Sequence, residues 1–133
     1  MICFHLRFKQ LGYVTFKVYS RRDAMRRGMV RDWGGWGELS KTAAGGCLRT
    51  RGEACIIYLN KQNMGAGIVA HECAHAAIWM LRERGWTKYA TSSNSEETFC
   101  YLLEYMVRDF WNEWYRLNPP PEDTTVRLRK KNV

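Results

Sequence analysis

Every second residue from Ile2 to Phe8 is apolar: Ile2, Phe4, Leu6 and Phe8. The alternation returns between Tyr13 and Tyr19, with Val14, Phe16 and Val18 on one face. A period of two marks a strand with one buried face. Lys9-Gln10-Leu11-Gly12 between the runs predicts a hairpin turn, with Gly12 suited to positive φ. Residues 21–32 predict a short basic helix that Gly28 weakens. Trp33-Gly34-Gly35-Trp36-Gly37 reads as a loop. A second hairpin is expected over residues 46–60. Its turn lies near Arg51-Gly52, and its second strand is Ala54-Cys55-Ile56-Ile57-Tyr58-Leu59.

The period then changes to that of a helix. Ala70, Ala74, Ala77 and Leu81 recur at helical spacing between about Met64 and Arg84, and Gly85 supplies a C-terminal stop. After a loop, Asn94 or Ser95 is a natural N-cap for a second long helix. Phe99, Leu103, Met106 and Phe110 form its apolar stripe, and Pro119-Pro120-Pro121 ends it after Leu117. The expected class is α+β: a small mixed or antiparallel sheet from the N-terminal half, packed on two long helices. Residues 1–121 are expected to form a single domain. Residues 122–133, with Arg127, Arg129, Lys130 and Lys131, are expected to be a flexible basic tail.

Composition narrows the class. The chain has 133 residues, 46% of them apolar and 26% charged, which suits one globular domain. Its apolar runs are too short for a membrane-spanning helix, so no membrane partner is expected. MICFHLRFKQ lacks the layout of a signal peptide. Five cysteines contain no CxxC pair and cannot all pair with one another, so free thiols in a reducing cytoplasm are expected. The net charge of +8 admits an acidic partner or nucleic acid, held by the basic segments at residues 21–31 and 127–131. Trp33 and Trp36 would then be available to stack bases.

The sharpest chemical signal is His71-Glu72-Cys73-Ala74-His75, inside the first long helix. Residues four apart share one helix face, so the two imidazoles can bind one Zn²⁺. Glu72, beside the first of them, is placed to act on an activated water as general base. Two of the chain's 3 histidines fall in this motif. A catalytic zinc site needs a third protein donor. The run continues Ala76-Ala77-Ile78-Trp79, which excludes the HExxHxxGxxH layout. His5, on a strand, reads as an ordinary strand residue. The best remaining donors are Glu96 and Glu97, at the start of the second long helix.

HExxH followed within 20–30 residues by a helix-borne Glu resembles the gluzincins, the thermolysin-like and aminopeptidase-like zinc peptidases. Glu97-Thr98-Phe99-Cys100 is similar to the E-G-F-A part of the aminopeptidase motif N-E-G-F-A, and Glu104-Tyr105 is similar to a downstream E-Y pair. Glu96 stands where that motif has Asn, and Thr98 where it has Gly. The resemblance covers about 40 residues and implies Glu97 as the third zinc ligand. The apolar stripe, followed backwards, reaches Glu96 more directly, which keeps Glu96 as the alternative. Cys100 is a small residue on the Glu97 face that would let two helices approach. The size also resembles small HExxH proteins of bacterial viruses and compact cytoplasmic peptidases acting on phage repressors. That likeness implies the host cytoplasm for a viral protein.

The function expected is zinc-dependent hydrolysis of a peptide or protein substrate. His71, His75 and Glu97 hold the metal and Glu72 is the base. Glu104 is a candidate to bond a ligand imidazole, and Tyr101, Tyr105 or Tyr58 to stabilise the transition state. Family analogy places an extended substrate along a sheet edge formed by residues 54–60. Two alternatives stay open: a binding protein on a zincin scaffold without turnover, and a basic nucleic-acid-binding module with structural zinc.

Overall fold

The computed structural model describes residues 1–9, 11–34, 43–50, 54–85 and 93–121. Four strands and three helices occur among them: β1 (Ile2–Phe8), β2 (Gly12–Tyr19), α1 (Arg22–Trp33), β3 (Gly46–Arg49), β4 (Ala54–Asn60), α2 (Ala66–Glu83) and α3 (Ser93–Leu117). The α+β class and both hairpins agree with the sequence pattern, and the helix bounds fall within about two residues of those expected. The expected tail and the turn near Arg51-Gly52 lie outside the described residues. So do Trp36 and the rest of the expected glycine loop beyond Gly34. No helix of the described residues is long and apolar enough to cross a membrane.

The strands form one mixed sheet in the order β1-β2-β4-β3. β1 pairs antiparallel with β2, with Gly12 at φ 112° closing their turn. β2 and β4 run parallel in the centre, and β3 returns antiparallel on β4. The register builds rows across the sheet. Phe4, Phe16, Ile57 and Cys47 stand in one row, and Leu6, Val14, Cys55 and Arg49 in the next.

These rows face α2 and α3. Val14, Phe16, Val18, Ile57 and Leu59 are fully buried against the apolar faces of the two helices. α2 contributes Val69, Cys73, Ala76, Ala77 and Met80, and α3 contributes Leu102, Met106, Phe110 and Trp114. The expected stripe holds at Met106 and Phe110, whereas Phe99 and Leu103 are only partly buried at its flank and Leu102 is buried instead. Phe110 lies at its centre, 5.0 Å from the Phe16 ring and 5.7 Å from the Phe4 ring, centroid to centroid.

The opposite face carries a layer that the two-helix expectation omitted. There α1 packs Met25 and Met29 against Tyr19 and Tyr58. Gly28 is what lets it approach: a Cβ at that position would collide with the Tyr19 hydroxyl. The glycine that weakens the helix locally is thus required by packing. A polar clamp fixes the C-terminal turn of α1. Asp32 accepts hydrogen bonds from Tyr58 Oη at 2.8 Å and Lys17 Nζ at 2.9 Å. Burial disfavours the Asp32 anion, but the bonds from Lys17 and Tyr58 outweigh it and hold the carboxyl below its ordinary value. Tyr58 answers in the opposite direction, pushed up by burial and by the Asp32 bond.

Two expectations are corrected here. Residues 54–60 are not a sheet edge: β4 lies between β2 and β3. It buries Cys55, Ile57 and Leu59 on one face and Tyr58 on the other, the pattern of an interior strand. β3 is the edge. Trp33 is not a free stacking platform either. It is the last residue of α1 and packs edge-on to Tyr58 at 5.8 Å.

Phe110→Ala should destabilise the protein by about 3–5 kcal/mol, because it empties the middle of the aromatic cluster. Tyr101→Ala, on the exposed side of the same helix, should cost less than about 0.5 kcal/mol. Urea unfolding midpoints of the two variants test the assignment of faces.

Candidate metal centre

α2 carries His71, Glu72 and His75, and its packing decides where each points. Cys73, Ala76 and Ala77 are small and fully buried, so this side of the helix seats closely on the sheet. Residues 71 and 75 then lie on the flank turned toward the end of the helix layer, where both are exposed. Their Nε2 atoms converge to 3.2 Å. Two ligands at about 2.0–2.1 Å from a tetrahedral ion are separated by about 3.3 Å, so this spacing suits a shared Zn²⁺. The rings stand nearly perpendicular, at 80°, with centroids 4.8 Å apart.

Glu72 is one residue further round and turns inward, with 5% of its surface exposed. One ligand atom from each of His71, Glu72 and His75 lies within 4.8 Å of the others, a group able to hold a metal ion. Burial raises the Glu72 carboxyl from its ordinary 4.5 to about 7. His75 moves the other way, its protonated form disfavoured by burial first and then by His71 and Arg49. Both shifts favour a neutral imidazole, the ligand form, and a carboxyl that exchanges a proton near neutrality.

The residue before β3 makes room for Glu72. A Cβ on Gly45 would lie 3.0 Å from Glu72 Oε1 and 3.1 Å from its Cγ. The group opens on a cavity of about 760 Å³ lined by α2, by β3 from Gly46 to Arg49, and by Met29 and Trp33 of α1. β3 pairs with β4 on one side, and among the described residues no strand pairs with its other side. The cavity therefore lies along an edge of the sheet that is unpaired among the described residues, apolar on the α1 side and polar at the histidines.

Thiols lie behind the carboxylate. Cys47 Sγ and Cys55 Sγ are 3.0 Å apart, neighbours on one face of the β3–β4 hairpin. Sharing with Cys55, then burial, drives the Cys47 thiol far up, and burial pushes Cys73 up to about 12. Cys47 and Cys73 are held as neutral thiols, consistent with packing roles.

The other expected site residues fall elsewhere. Glu96 and Glu97 are exposed at the start of α3 and are not part of the His71–Glu72–His75 group. Glu104 is exposed, and Tyr101 and Tyr105 stack on one another at 6.4 Å on the outer surface of α3. None of these lines the cavity. Tyr58 is fully buried against α1 and committed to Asp32. Cys100 is exposed, so it does not provide the expected helix–helix contact. His5 is a strand residue, as expected, bonded to Thr15 at 2.8 Å. Sequence reasoning missed Gly45, Cys47 and Arg49. The one signal for them was the Gly45-Gly46 pair leading into a strand, which marks a close approach of backbone to another group.

No protein-family model matches the chain, and neither a curated protein nor a solved structure matches it.

A carboxyl that holds its proton more tightly when folded contributes stability below its unfolded value of 4.5. That contribution is lost as pH rises through about 7. Glu72→Gln should therefore stabilise the metal-free protein at pH 8 by on the order of 2–3 kcal/mol relative to the parent. The advantage should disappear near pH 4. Paired urea titrations at the two pH values read the difference.

Proposed function

We propose that the chain is a zinc-dependent peptidase that hydrolyses an extended peptide lying along β3. The observation that carries the proposal is the convergence of His71 and His75 at 3.2 Å with a buried carboxylate beside them, on a cavity that holds a free sheet edge. Zinc held there supplies Lewis acidity toward a water and toward a scissile carbonyl. The protein's own groups do the rest. His71 and His75 bind through Nε2. Glu72 accepts a proton from the attacking water on its carboxylate and delivers it to the departing amine. Its environment suits both steps, because a carboxyl near 7 takes and releases a proton at little cost near neutral pH. The outer N–H and C=O groups of β3, unpaired by any strand among the described residues, align the substrate backbone by strand addition.

The third protein ligand proposed is Glu97, with Glu96 as its alternative, on the resemblance of residues 97–100 to the aminopeptidase motif. A second reading has one observation in its favour: Glu72 is the carboxylate already grouped with the histidines. As a direct ligand it would leave the site without a free base, as in a zincin-scaffold protein that binds without turnover.

The purified chain should take up close to one Zn²⁺, and His71→Ala or His75→Ala should each abolish uptake. Glu97→Ala should weaken zinc binding far more than Glu96→Ala. The reverse order assigns the ligand to Glu96, and loss with Glu72→Gln instead assigns it to Glu72. Competition against a chelating dye measures the affinities of the parent and the five variants.

For turnover, Glu72→Gln should retain zinc and lower the hydrolysis rate by roughly 10²–10⁴, the usual worth of a positioned general base. Unchanged biological effect in that variant, with loss in His71→Ala through unfolding, would mean a structural zinc and no peptidase. Paired zinc analysis and peptide-hydrolysis assays decide between them.

A further inference from the structure

A peptide added to β3 as a strand sends successive side chains to opposite faces of the sheet. The two faces beside this edge are chemically different. On the side of α1, the cavity wall is Leu48, Met29 and Trp33, with Met29 and Trp33 packed down onto Gly46, where a Cβ would collide with them. On the side of α2, the wall carries His71, His75 and Arg49. Arg49 shares the row of Leu6, Val14 and Cys55, and so faces the helix layer, yet its position on the edge strand leaves it exposed. Among the described residues no carboxylate pairs with it. It lines the same cavity as His75.

We propose that this edge selects peptides in which a large apolar side chain and an acidic side chain occupy adjacent positions next to the cleaved bond. The apolar side chain enters the Leu48–Met29–Trp33 wall and the acidic one meets Arg49. This inference rests on the peptidase reading for its cleaved bond, but the recognition it describes is separable from hydrolysis. The guanidinium is a cation at the mouth of the cavity, able to take a carboxylate in a bidentate pair. The alternation of the strand makes the two preferences neighbours in sequence, which no freely oriented pocket would require.

The experiment uses the full chain loaded with Zn²⁺ and a random-sequence peptide mixture, with cleaved bonds read by mass spectrometry. The expected result is enrichment of Asp or Glu beside a large apolar residue flanking the cut. Arg49→Glu should reverse the acidic preference toward Lys or Arg by roughly tenfold or more. Arg49→Gln should erase it, and Arg49→Lys should keep it. Arg49 is exposed, and an unfolding curve for each variant confirms that the fold is retained. Cleavage without this paired preference, or a preference that Arg49→Glu leaves in place, overturns the inference and leaves the peptidase reading standing. A parallel arm captures peptides from the same mixture on the zinc-loaded parent and Glu72→Gln proteins. Arg49-dependent capture of acidic–apolar peptides without any cleavage supports the recognition and overturns the hydrolytic reading. Neither cleavage nor capture overturns both.

Discussion

The close seating of α2 on the sheet is the constraint from which the site follows. Cys73, Ala76 and Ala77 bring the helix onto the rows of Phe16–Ile57 and Val14–Cys55 with no bulky side chain between. Once that face is fixed, helical geometry leaves no freedom for its neighbours. His71 and His75 must project from the flank beside β3, and Glu72 must turn into the layer. A larger residue at position 76 or 77 would lift the helix and move all three together.

The same seating imposes a cost. Glu72 is enclosed where an anion is poorly solvated, and its carboxyl is raised to about 7 by that burial. A sequence selected for stability alone has no reason to keep a carboxylate at this position. The protein accommodates it by placing glycine at position 45, where a Cβ would crowd the carboxylate. Local expense at one residue, met by a neighbouring residue that gives up its side chain, is the pattern of a site retained for its chemistry.

The opposite face of the sheet shows how a strongly basic chain stays ordered. α1 contains Arg22, Arg26, Arg27 and Arg31 in twelve residues, and it is anchored by Met25, Met29 and the Lys17–Asp32–Tyr58 clamp. The arginines near the start of α1 also reach inward. Arg22 Nε and Arg26 Nε both donate to the Ala43 carbonyl, at 3.1 and 3.4 Å, which ties the approach to β3 against the helix. That tether helps set the wall between α1 and the free edge, so part of the basic charge serves the shape of the cavity.

Local pattern alone determined the elements, because strand and helix periods are properties of consecutive residues. The alternations at 2–8 and 13–19, the helical spacing through 66–83 and the prolines after Leu117 needed no partner to be read. The convergent histidine pair was legible for the same reason: a spacing of four within one helix fixes its own geometry. What the sequence left open depends on contacts between distant segments. Strand order decided that β4 is interior and β3 the edge, because only pairing shows that Tyr58 and Ile57 are both covered. Helix packing decided that the α3 stripe centres on Leu102, Met106, Phe110 and Trp114, and that Glu96 and Glu97 stand in solvent. The role of Gly45, and of Arg49 beside His75, arises from a strand and a helix more than twenty residues apart, a proximity no periodicity encodes.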